Sequence, residues 1–80
     1  MAYVAIHVGP DQFRQCVATA SWTGAREWLG SMLAHSGIDA TGFRAARHAI
    51  DGAVHGIDFQ HTCAGHVFRI SAVRAQQGAA

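Results

Sequence analysis

Eighty residues, half of them hydrophobic and 14% charged, make a single small domain and exclude general disorder. All six basic residues are arginine, and against five carboxylates they leave a formal net charge of +1. That balance argues against a nucleic-acid binder, which needs a basic face, and against an acidic mimic of nucleic acid.

Tyr3 to Val8 alternates, with Val4, Ile6 and Val8 on one face and Tyr3, Ala5 and His7 on the other, which predicts a strand with one buried face. Gly9-Pro10-Asp11-Gln12 is turn chemistry, since proline presets a turn dihedral and aspartate bonds back to the backbone. Phe13 to Ala20 then reads as a returning strand carrying β-branched Val17 and Thr19. The alternative is a helix over residues 11–20, with Phe13, Cys16, Val17 and Ala20 as its stripe and Pro10 at its first position.

Ser21 is a helix N-cap, followed by Trp22, Ala25, Trp28, Leu29, Met32 and Leu33 at helical spacing. Trp28 is expected inside and Trp22 near the edge. Gly37 suits a left-handed C-cap that ends this helix after His35. Asp39 or Thr41 caps a second helix with Phe43, Ala46, Ile50, Ala53 and Val54 on its apolar side and Gly56 as its C-cap. Arg47 and Asp51 stand four apart and predict an ion pair on the solvent side. Ile57 to Thr62 and Val67 to Val73 read as two strands joined across Cys63-Ala64-Gly65-His66. Residues 1–74 form the domain, and the tail from Ala75 to Ala80 has little to bury and is expected to fray.

The pattern predicts an α+β domain of order ββααββ, an antiparallel sheet with both helices on one face, or βαααββ in the alternative. Tyr3, Phe13, Val17 and part of the tryptophan surface are expected on the second, uncovered face. A small core beside such a face points to a protein partner or a homodimer. Trp22, Arg26, Arg44, Arg47, Tyr3 and Arg69 are the candidate interface residues, because tryptophan, tyrosine and arginine dominate binding hot spots.

His61, Cys63 and His66 are the chemical candidates. Thiolate and imidazole at this spacing suit zinc, provided a fourth ligand arrives from His7, Cys16 or His55. Without it they are turn and edge-strand residues, with Cys63 as a small hydrophobe and no cofactor. A Cys–His nucleophile lacks an orienting group and an oxyanion stabiliser, so the chain reads as non-enzymatic. A helix-turn-helix would present Arg44, Arg47 and His48 to a DNA groove, yet the domain is not basic.

No signal-peptide pattern or membrane-length apolar run is seen, so a reducing cytoplasm with free Cys16 and Cys63 is expected. The leading expectation is a protein-binding module acting by steric occlusion. In size and style it is like accessory and inhibitor proteins of phages and mobile elements, including those directed at CRISPR complexes. A zinc-dependent binding module and a small DNA-binding regulator are the alternatives.

Overall fold

The computed structural model describes residues 2–73, and the expected frayed tail lies outside them. Six elements follow in the expected order: β1 (Ala2–Val8), β2 (Arg14–Thr19), α1 (Trp22–Ala34), α2 (Ala40–Asp51), β3 (Phe59–Cys63) and β4 (His66–Val73). The strands form one antiparallel sheet in the order β2-β1-β4-β3. The two hairpins therefore lie side by side, joined by the long β1–β4 pairing. Residues 14–19 are a strand, so the helical alternative for 11–20 does not hold.

Local chemistry explains the element ends. In the first hairpin Gln12 N–H donates to Gly9 O and Phe13 N–H donates to the Asp11 carboxylate, the turn that proline and aspartate favour. The Ser21 hydroxyl accepts from Gly24 N–H at the start of α1, and the Asp39 carboxylate accepts from Gly42 N–H at the start of α2. Gly37 has the anticipated positive φ of 78°, two residues beyond the His35 cap. Helix α2 stops earlier than its apolar pattern suggests, capped by Gly52 rather than Gly56. Val54 and Ile57 consequently lie in an exposed connection, outside the helix and strand they were expected to join.

The core is one layer between helices and sheet, built from Leu29 and Leu33 of α1, Ala46 and Ile50 of α2, and Tyr3, Ala5, Phe68 and Ile70 of the strands. It corrects the facing of β1. Tyr3, Ala5 and His7 lie under the helices, while Val4, Ile6 and Val8 are only half-buried on the opposite side. Val17 follows Tyr3 to the covered side, because it pairs with Ala5. The physical reason is close approach: Ala5 and Ala25 are small and fully buried, and the aromatic Tyr3 fills the space beside them. The tryptophans are also exchanged. Trp22 is buried edge-on against Tyr3, with ring centroids 5.5 Å apart, and Trp28 is the half-buried one.

The second hairpin turns through Ala64 and Gly65, both at positive φ, 52° and 82°. Alanine in the left-handed region costs about 1–2 kcal/mol, whereas asparagine tolerates it. Ala64→Asn is expected to stabilise the fold by about 0.5–1 kcal/mol, seen as a higher urea midpoint at unchanged slope.

Candidate functional site

His61 and Cys63 on β3 and His66 on β4 share the helix-covered side of the sheet, as their spacing suggests. They do not converge. The Cys63 thiol meets Gly42 O of α2 at 3.7 Å, where an added Cβ on Gly42 would stand 3.0 Å from the sulfur. Cys63 thus serves as the small residue that lets α2 lie close to β3. His61 is half-buried, and its Nε2 has no hydrogen-bond partner among the described residues. His66 is buried at 8% exposure, so it is not the solvent-exposed polar end of a hairpin. Among the described residues no three His, Cys, Asp or Glu side chains gather as metal ligands.

Of the three residues named as a fourth ligand, only His7 reaches this cluster. His7 Nε2 lies 2.9 Å from His66 Nδ1. Cys16 is exposed on the other side of the sheet, and His55 packs against Tyr3 and Trp22 at the far end of β1. The His7 and His66 ring planes differ by 8°, with centroids 5.2 Å apart. A hydrogen bond plus two ring radii accounts for that separation, so the rings meet edge to edge in nearly one plane. Phe68 lies beside them, its centroid 5.0 Å from that of His7. Because one ring donates and the other accepts, the neutral pair keeps one outer N–H and one bare outer nitrogen. His7 Nδ1, an outer atom, is buried with no partner among the described residues.

Burial makes the His66 imidazolium hard to form and lowers its pKa below the usual 6.5; His7 adds to the effect, and the Asp11 carboxylate opposes it. The pair lines a cleft of about 400 Å³ at the end of the sheet. Pro10, Asp11 and Phe13 of the first hairpin turn form one wall, and His35 and Ser36 at the end of α1 the other. Sequence reasoning named His7 as a possible partner of His66 only as a metal ligand, and it placed His7 on the uncovered face, so it missed the direct imidazole pair. The available signal was that His7 shares its face with Tyr3 and Ala5.

A second surface lies on the uncovered side of the sheet. Strand register puts Val4, Ile6 and Val8 of β1 beside Cys16 and Ala18 of β2 and Val67 of β4, with Arg14 and Arg69 among them. Of the candidate interface residues, Arg69 is exposed here, its Nε donating to Ser71 Oγ. Tyr3 and Trp22 are interior. Arg26, Arg44 and Arg47 belong to the helical layer, where Arg26 donates to Asp51 O and Arg47 pairs with Asp51 at 3.3 Å, as the four-residue spacing implies. Arg44 and His48 are exposed on α2. No helix among the described residues is long and apolar enough to cross a membrane. No family model matches this chain, and neither curated proteins nor solved structures provide a match.

The lowered pKa of His66 has a consequence for stability. Between that pKa and 6.5 the unfolded chain binds the proton more readily than the folded one. The contribution of this group is therefore fully present above about 6.5 and declines as pH falls below it. The urea midpoint is expected to drop between about pH 8 and about pH 5.5, and His66→Phe is expected to flatten that dependence.

Proposed function

We propose that this protein is a non-enzymatic binding module that docks a partner protein on the uncovered face of its sheet. The observation that carries the reading is the half-exposed row Val4, Ile6, Val8 and Val67 on the side without helices. Four strands about 4.8 Å apart and seven residues about 3.3 Å apart give this face roughly 400 Å², the size of a large surface patch. A stable interface buries about 800 Å² per partner, so the contact extends beyond the valine row to the arginines and the strand ends.

Charge selects the kind of partner. None of the paired strand positions on this face is acidic, while Arg14 and Arg69 are both cationic. Two copies packed face to face would bring these arginines together without a carboxylate between them. A partner with an apolar centre and carboxylates around it meets both features. The action is occlusion: a rigid sheet covers the partner surface, and no bond is made or broken.

Two folded variants test the reading, Ile6→Glu and the pair Arg14→Glu with Arg69→Glu, each checked for wild-type circular dichroism. Binding of the purified partner, captured from the native host, is expected to weaken at least about tenfold in both and to fall with rising salt. Equal binding by wild type and both variants overturns docking on this face. A stable dimer of the pure protein that Ile6→Glu disrupts assigns the face to a second copy instead.

A further inference from the structure

The cleft at the His7–His66 end lies on the helix-covered side and is independent of the partner surface. Its volume of about 400 Å³ falls within the usual range for small-ligand sites, about 300–1,000 Å³. Two features argue for a binding site rather than a gap. Two titratable rings, 7% and 8% exposed, line it in a polar pair that a plain apolar core would not contain. Phe13 stands 62% exposed on its wall, outside the buried core.

The polar groups decide what fits. His35 Nδ1 is 2.8 Å from Ser31 O, and since a carbonyl only accepts, Nδ1 carries the proton and the neutral ring keeps Nε2 as an acceptor. The Asp11 carboxylate accepts from Phe13 N–H through one oxygen and has a second oxygen for a ligand. The imidazole pair adapts, offering a donor or an acceptor as its shared proton shifts. Acceptors and one negative charge therefore dominate, and no arginine lines the cleft among the described residues. An anion would face Asp11 without a fixed cation to hold it. A transition metal finds no cluster of three ligands. An apolar molecule would leave the imidazole nitrogens unpaired. The exposed Phe13 ring, in turn, offers its electron-rich face to a cation.

We propose that this cleft binds a small organic cation carrying N–H donors on a flat frame, of the amidinium kind. Asp11 supplies the counter-charge, Phe13 the stacking surface, and His35 with the His7–His66 pair the acceptors. Proton uptake by His66 opposes binding, because it removes an acceptor and adds like charge.

Benzamidine, benzamide and benzoate form a test set of one shape and three charges. Titration followed by NMR is expected to give saturable shifts of the Phe13 and His66 ring signals with benzamidine alone. Asp11→Asn keeps the oxygen that accepts from Phe13 N–H but loses the charge, and it is expected to weaken benzamidine about tenfold or more. Phe13→Ala is expected to weaken it as well, and affinity is expected to fall as the pH drops below about 6.5, where His66 takes up a proton. Equal binding of benzamide or benzoate overturns the cationic preference. Shifts that do not saturate, or an Asp11→Asn variant that binds like wild type, overturn the site.

Discussion

Leu29 and Leu33 of α1 form a single buried cluster with Ala5, Phe68 and Ile70 of the sheet, and the rest of the molecule depends on that packing. Both middle strands contribute to it, β1 through Ala5 and β4 through Phe68 and Ile70, and α2 completes it with Ala46 and Ile50. The two helices and four strands of the described residues have enough apolar material for one such layer. The geometry permits close contact because the residues at its tightest points are small. Ala5 and Ala25 are fully buried, and Gly42 leaves room for the Cys63 sulfur. Larger side chains there would lift the helices and open the layer.

A one-layer core has two consequences for function. Among the described residues nothing covers the far side of the sheet, which carries the β-branched residues of β1. At the end of the sheet α1 stops at Ala34, and His35 and Ser36 beyond it share a cleft with the first hairpin turn. The cleft is the space left there, and His7 and His66 lie where the covered face meets it. The uncovered face and the cleft are thus products of the same shortage of covering structure. Adjacent residues on the same strands border both, Val8 next to His7 and Val67 next to His66.

Much of the fold was legible in the sequence because its signals are local. Ser21 and Asp39 cap their helices as side-chain chemistry requires, and the Pro10-Asp11 turn closes the first hairpin. The ion pair of Arg47 with Asp51 follows from helical spacing alone. The order ββααββ follows from these marks and from hydrophobic period. The end of α2 was misjudged because Ala53 and Val54 continue its apolar pattern although Gly52 has already ended the hydrogen-bonded run.

The candidate site was half legible. Residue types and spacing drew attention to His61, Cys63 and His66, and strand alternation placed them on one side. Nothing local distinguishes a ligand from a packing residue, and the structure gives Cys63 to Gly42 and His66 to His7, fifty-nine positions away. By itself the sequence determined the elements, their caps and turns, and the two-residue period that separates the faces of β1. Only the tertiary structure decided which face the helices cover, and with it which histidines meet. The reason is physical: alternation defines two faces symmetrically, and the choice between them is made by how closely a helix approaches across Ala5, a property of the packed layer and not of any single strand.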